Sequence, residues 1–243
     1  MVNILRLAKE RQIEFSILIN MNSRLLFEAL AKYSLGLIIV GLLLFLPAGT
    51  ISWKQGQLFM LVLFLPMFIA GIVMLFKDPD LLRRRLNAKE KRSEQSLIIK
   101  LSGLMFLLAF VLAGLNYRFK WIILPDYISY LASVLFLLGY LLFAFVLKQN
   151  TFLSRTIEVS ENQKVIDTGL YGIVRHPMYS ATILMFLAMP LILGSLISFI
   201  ILLIYPYLIS KRINNEEEFL EKELLGYIEY KNKVKYKVIP YIW

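Results

Sequence analysis

Long apolar runs separated by short polar stretches dominate the pattern of this 243-residue chain. Apolar runs of about eighteen or more residues are typical of helices that cross a membrane. Four such helices are predicted before residue 148. They lie near Tyr33–Pro47 with its flanks, Leu58–Phe76, Leu97–Leu115 and Tyr127–Leu147.

A fifth apolar stretch, Met178–Ser210, is too long for one straight crossing. As a single helix it would extend ~50 Å, whereas the hydrocarbon core of a membrane is ~30 Å thick. Pro190 and the pair Gly194-Ser195 lie near its middle, where they favour a break. The pattern therefore predicts a helical hairpin within an all-α, polytopic membrane bundle of about six helical segments. Residues 216–243 are predicted to form a cytoplasmic C-terminal helix that folds back over the mouth of the hairpin.

Lysine and arginine are concentrated in the stretches that would share one face of the membrane. Basic loops remain on the cytoplasmic side, so both termini and both ends of the hairpin are predicted to be cytoplasmic. Of the 27 basic residues, 23 lie in residues 1–32, 77–96, 148–177 and 211–243.

The whole chain, residues 1–243, is expected to form one membrane domain. Residues 1–147 would be a four-helix scaffold, and residues 148–243 would hold the cofactor and catalytic part. Residues 1–26 mix apolar and basic positions, as an interfacial amphipathic helix does, and Met21 is a second plausible start.

The composition narrows the chemistry that is available to the protein. With no cysteine and one histidine, disulfides are excluded and no metal site built by the protein is expected. A net charge of +10 does not indicate nucleic acid as a partner here, because the chain is 58% hydrophobic and its charges follow membrane topology. No glycine-rich turn after a strand is present, so a soluble dinucleotide-binding fold is not supported.

The one histidine, His176, lies between Arg175 and Pro177, just before the hairpin. Proline is favoured at the first position of a helix, so a helix is predicted to begin at Pro177 with His176 at its cap. The start of a helix favours anions, and Arg175 adds a full positive charge. The alternative is a cationic anchor at the membrane surface.

A second polar cluster, from Arg212 to Glu218, follows the hairpin. Arg212 and Glu216 are four residues apart and share one face of a helix. The alternative is a solvated helical face, and Glu217 and Glu218 are predicted to be solvated. Tyr227 and Tyr230, farther along, are predicted to be aromatic residues at the membrane interface.

Together these motifs resemble those of the isoprenylcysteine carboxyl methyltransferases and related membrane methyltransferases that use S-adenosylmethionine. The resemblance extends from about residue 160 to residue 243. It is carried by Gly169-Leu170-Tyr171, Arg175-His176-Pro177-Met178-Tyr179, Arg212 with the pair Glu216-Glu217, Tyr227 with Tyr230, and Val238-Ile239-Pro240.

The resemblance implies S-adenosylmethionine as cofactor and a lipid or isoprenoid acceptor, beside the membrane lipids themselves. Arg212 would bind the acceptor, and Arg212 with Glu216 would form the catalytic pair. The cofactor needs a cationic site for its carboxylate, a carboxylate for its ammonium and aromatic contacts near its sulfonium. The residues expected to bind it are Gln163, Lys164, Val165, Ile166, Tyr171, Arg175, His176, Pro177, Met178, Tyr179 and Glu216.

Three other functions remain open at this stage. A phospholipid amine, instead of a carboxylate, is a second possible acceptor. Membrane sterol reductases share the Arg-His-Pro-x-Tyr segment and use a nicotinamide cofactor, although they tend to carry a different arrangement from Arg-x-x-x-Glu-Glu. A non-enzymatic lipid-binding protein is the last alternative, and the oligomeric state is open.

Overall fold

The computed structural model describes residues 2–87, 93–153, 159 and 163–243, with only the backbone described for 2–22 and 93–94. Within these ranges every regular element is helical, which confirms the predicted all-α class. The elements are α1 (Val2–Ala48), α2 (Lys54–Lys77), α3 (Pro79–Leu86), α4 (Ser93–Phe119), α5 (Asp126–Gln149), a 3₁₀ turn (Gly169–Gly172), α6 (Pro177–Ile192), α7 (Leu196–Leu202), α8 (Tyr205–Glu223) and α9 (Tyr227–Lys233).

Five helical segments among the described residues are long and apolar enough to cross a membrane, so the predicted polytopic membrane bundle is confirmed. The cytoplasmic location of the termini remains a prediction of the charge pattern. The amphipathic character predicted for residues 1–26 concerns mostly side chains that lie outside the described residues. The basic stretch 88–92 also lies outside them. The five segments are Ser23–Ala48, Lys54–Lys77, Gln95–Phe119, Asp126–Gln149 and Leu196–Glu223.

The predicted break in the long apolar stretch is confirmed. Helix α6 ends at Ile192, and Gly194 follows with φ +67°, a left-handed conformation that favours glycine. Ser195 then caps α7 by accepting a hydrogen bond from the backbone N–H of Ser198, and the Ser198 hydroxyl donates to the carbonyl of Ala109 in α4. The outgoing arm of the hairpin, α6, would be ~24 Å long, shorter than the other apolar segments.

Helices α5 and α6 pack against each other through Gly139. A Cβ atom at this position would lie 2.5 Å from Met185 Cγ and 3.3 Å from the carbonyl oxygen of Ala181, so only glycine allows this approach. Among the described residues, the larger of two buried hydrophobic clusters joins residues from both halves of the chain. Its members include Leu44, Phe59, Phe110, Phe136, Met189, Ile192 and Ile213. The predicted division at residue 147 stays a prediction.

The predicted C-terminal helix over residues 216–243 is wrong in its extent. Residues 216–223 continue α8, the returning arm of the hairpin, and only α9 forms a separate helix. Residues 234–243 are not helical and run back across the start of α6. There the backbone N–H groups of Arg175 and His176 donate to the carbonyls of Tyr236 and Lys237, at 2.9 and 2.8 Å. The chain therefore does fold back over the hairpin mouth, but as a non-helical segment that ends in a turn.

Candidate active site

The start of α6 is built as the sequence predicts. His176 is the N-cap residue and Pro177 occupies the first helical turn. The C-terminal segment fixes this turn, because the carbonyls of Val234 and Lys235 accept hydrogen bonds from Arg175 Nη1 at 2.6 and 2.8 Å. The backbone and side chain of Arg175 are thus both held by residues that follow α9.

Glu217 is buried and forms the centre of a charged cluster, so the prediction that it is solvated is wrong. Its side chain is 3% exposed, with Oε1 2.7 Å from Arg175 Nε and 3.1 Å from His176 Nε2. Lys237 Nζ lies 3.3 Å from Oε2. Because a carboxylate can only accept, His176 Nε2 carries the proton in this contact. The positive charge of Arg175 is therefore balanced inside the protein.

The burial of Glu217 follows from the inward face of α8. Ile209, Ile213 and Glu217 are spaced four residues apart, and all three are buried. This spacing was visible in the sequence as a signal that the core face of the helix extends to Glu217.

Glu216, the next residue, is held differently. Its Oε2 accepts a hydrogen bond from the Tyr179 hydroxyl at 2.7 Å, and its Oε1 lies 3.9 Å from His176 Nδ1. The Tyr179 oxygen in turn accepts from Arg212 Nε at 2.9 Å. Arg212 and Glu216 share a helix face as predicted, and the Tyr179 hydroxyl links them.

One wall of a cavity is formed by Arg175, His176, Tyr179, Arg212 and Glu216. The cavity has a volume of about 840 Å³ including its open mouth. All the predicted cofactor and acceptor residues line it except Pro177, which is buried in the first turn of α6. Those that line it are Gln163, Lys164, Val165, Ile166, Tyr171, Arg175, His176, Met178, Tyr179, Arg212 and Glu216.

Seven further residues line the cavity and were not predicted as site residues. Tyr227 and Tyr230 belong to this group, and both are buried, so their prediction as interface aromatics is wrong. Their three-residue spacing on α9 presents both rings to the same side, which was the available signal. The others are Asn150, Phe152, Leu153, Leu220 and Leu224.

Hydrogen bonds hold the tyrosines of the cavity in place. The Tyr171 hydroxyl accepts from the side-chain amide of Asn150 at 3.0 Å, and the Tyr230 hydroxyl donates to the Tyr171 carbonyl at 2.8 Å. Burial raises the pKa of Tyr171 to about 12 and raises the pKa of Tyr230 as well. Both hydroxyl groups therefore remain neutral near pH 7 and keep their donor protons.

The segment that leads into α6 is attached to α5 and α9 at residues 167–170. Gln149 Oε1 accepts from the backbone N–H of Leu170 at 3.1 Å, and Lys233 Nζ lies 2.6 Å from Asp167 Oδ2. The hydrogen bond from Lys233 and the positive charge of Lys233 lower the pKa of Asp167.

Among the described residues, no group of three or more acidic or histidine side chains could hold a metal ion.

Comparison with known proteins identifies relatives of this part of the chain. The Delta(14)-sterol reductase of Mus musculus is 30% identical over 91 residues, which are 36% of this chain and 22% of the reductase. The chain thus aligns with about a fifth of that relative. Residues 130–222 match the model of the isoprenylcysteine carboxyl methyltransferase (ICMT) family. The segment from α5 through nearly all of α8, which carries the charged wall of the cavity, is therefore what this protein shares with the ICMT family.

Proposed function

We propose that the protein is an integral membrane methyltransferase that uses S-adenosylmethionine and methylates a lipid-like acceptor. The preferred acceptor is the carboxylate of an isoprenylcysteine-type group. The family match over residues 130–222 supports this class of activity. The observation that carries the proposal is Glu216, a carboxylate that is oriented by the Tyr179 hydroxyl and lines a cavity together with four tyrosines and with Arg175 and Arg212.

The residues of the cavity suit this cofactor. Glu216 would bind the ammonium group, and the ring faces of Tyr171 and Tyr179 suit a sulfonium cation. Val165 and Ile166 offer apolar contacts for a flat base. A carboxylate, aromatic rings and cationic side chains in one cavity suit a ligand that carries an ammonium, a sulfonium and a carboxylate.

When bound, S-adenosylmethionine would supply an activated methyl group for the carboxylate oxygen of the acceptor, with S-adenosylhomocysteine as the leaving group and no proton to be transferred. The protein therefore needs mainly to orient and to exclude water. Arg212 would hold an acceptor carboxylate by charge and hydrogen bonding, and its Nε is already positioned by Tyr179. Tyr179 would thus couple the cofactor and acceptor groups. We place this chemistry at the cytoplasmic face, on the basis of the charge pattern.

A nicotinamide-dependent reductase is the second candidate, because of the 30% identity to a sterol reductase over 91 residues. A dinucleotide brings several phosphate charges, which need unpaired cations. Arg175, the most deeply buried cation of the cavity wall, is instead balanced by Glu217. This pairing favours the methyltransferase.

The proposal is tested by isothermal titration of the detergent-purified protein with S-adenosylhomocysteine. Saturable binding is expected for the unaltered protein. Glu216→Gln should weaken that binding at least tenfold, because a charge-assisted hydrogen bond is lost. Glu218→Gln is the matched control, since Glu218 is exposed on the same helix. No binding by a folded sample, together with saturable binding of NADPH, would reverse the assignment.

A further inference from the structure

Tyr227 carries the one hydroxyl of the cavity tyrosines that has no hydrogen-bond partner among the described residues. The residue is 4% exposed and lines the cavity, with its ring 5.7 Å from that of Tyr230. The hydroxyl groups of Tyr171, Tyr179 and Tyr230 all have partners there. A buried hydroxyl without a partner is unfavourable, so the Tyr227 hydroxyl is suited to donate a hydrogen bond to a ligand in the cavity.

Charged groups around Tyr227 determine the protonation state of its hydroxyl and so the kind of ligand group that it can bind. The charges of Glu217, Glu216 and Arg175 all act on this hydroxyl, and burial with the two carboxylates raises its pKa. It is therefore a neutral donor in the same cavity as Glu216, the carboxylate that we assign to an ammonium group. In an α-amino acid, the carboxylate is one carbon away from that ammonium.

We infer that Tyr227 binds the carboxylate of the amino-acid end of the cofactor, through a hydrogen bond from its hydroxyl. The inference rests on the proposed function. It gives the cofactor carboxylate a hydrogen-bond donor besides Arg175. Such a donor is needed because Arg175 Nε and Nη1 are already bonded to Glu217 and to backbone carbonyls. Tyr227 lies beyond the segment 130–222 that matches the ICMT family, so the match does not provide this role.

The test compares two ligands on the full chain by isothermal titration. S-adenosylhomocysteine carries both the ammonium and the carboxylate, whereas S-adenosyl-3-thiopropylamine keeps the ammonium and lacks the carboxylate. Tyr227→Phe is expected to weaken S-adenosylhomocysteine about tenfold or more and to change the affinity for the decarboxylated ligand less than about twofold. The ratio of the two affinities in one sample is independent of the fraction of folded protein.

The stability of the ligand-free protein is the second readout. Tyr227→Phe removes a hydroxyl without a partner, so its melting temperature should not fall. Tyr230→Phe is the matched control and should lower it, because the bond to the Tyr171 carbonyl is lost.

Two results would overturn the inference while leaving the proposed function intact. In one, Tyr227→Phe binds both ligands as the unaltered protein does. In the other, it weakens both ligands equally, which would place the hydroxyl against another part of the cofactor. If the unaltered, folded protein binds neither ligand, the proposed function itself fails.

Discussion

Glu216 and Glu217 are neighbours on α8, yet the first faces the cavity and the second faces the protein interior. Glu216 accepts one hydrogen bond from Tyr179, and its side chain is 21% exposed. Glu217 is 3% exposed and contacts Arg175, His176 and Lys237. Consecutive residues of a helix point about 100° apart, which separates the two carboxylates. The Glu-Glu pair thus combines a ligand-facing carboxylate with one that holds the site together.

This division predicts opposite effects of two single substitutions. Glu217→Gln leaves the buried Arg175 without its counter-charge and should lower the free energy of unfolding by about 3 kcal/mol. Glu216→Gln should change it by less than about 1 kcal/mol while weakening cofactor binding. Thermal unfolding in detergent measures both variants, with the exposed Glu218→Gln as control. Equal melting temperatures for the two variants would contradict the division.

Tyr179 is predicted to position both Arg212 and Glu216. Tyr179→Phe removes the hydroxyl that bonds to each, so binding of S-adenosylhomocysteine should weaken about tenfold. Tyr140→Phe is the matched control, since its hydroxyl donates to the Leu63 carbonyl within the bundle. That variant should lose stability and keep ligand affinity. Unchanged ligand binding by Tyr179→Phe would show that the Tyr179 hydroxyl does not position Arg212 and Glu216.

The C-terminal segment is predicted to be part of the site. A chain that ends after Lys233 lacks the carbonyls that bind Arg175 and the backbone of His176, so cofactor binding should be lost. Ser180→Ala removes the 2.6 Å bond to the Val238 carbonyl and a longer one, 3.5 Å, to the His176 carbonyl, and it should weaken binding moderately, with the fold retained. Ile242→Ala alters an exposed side chain and serves as control. Full binding by the shortened chain would refute this role.

The close packing of α5 on α6 is tested at Gly139. Gly139→Ala places a Cβ atom 2.5 Å from Met185 Cγ, and it should destabilise the protein by about 1–3 kcal/mol. Gly103→Ala is the control, because it meets nothing within 4 Å and should leave the melting temperature unchanged or raised. If both variants melt alike, the two helices can separate at little cost.

Several features could be predicted from the sequence because their causes are local. The length of each apolar run determines where a membrane helix forms. Proline sets the start of α6 at Pro177, and glycine allows the break at Gly194. The meeting of the two polar clusters also follows, since a hairpin brings its two ends together. The predicted cofactor residues accordingly line one cavity, although their roles stay predictions.

The partners and surroundings of the buried polar side chains, in contrast, were decided only by the tertiary structure. The spacing of Ile209, Ile213 and Glu217 indicates the buried face of α8, but the partners at that face come from the segment after α9, which supplies Lys237 and the carbonyls that bind Arg175. The spacing of Tyr227 and Tyr230 likewise indicates a shared face of α9, but not that this face lines the cavity. The environment of a polar side chain depends on residues distant in sequence, whereas helix starts, breaks and spans depend on neighbours.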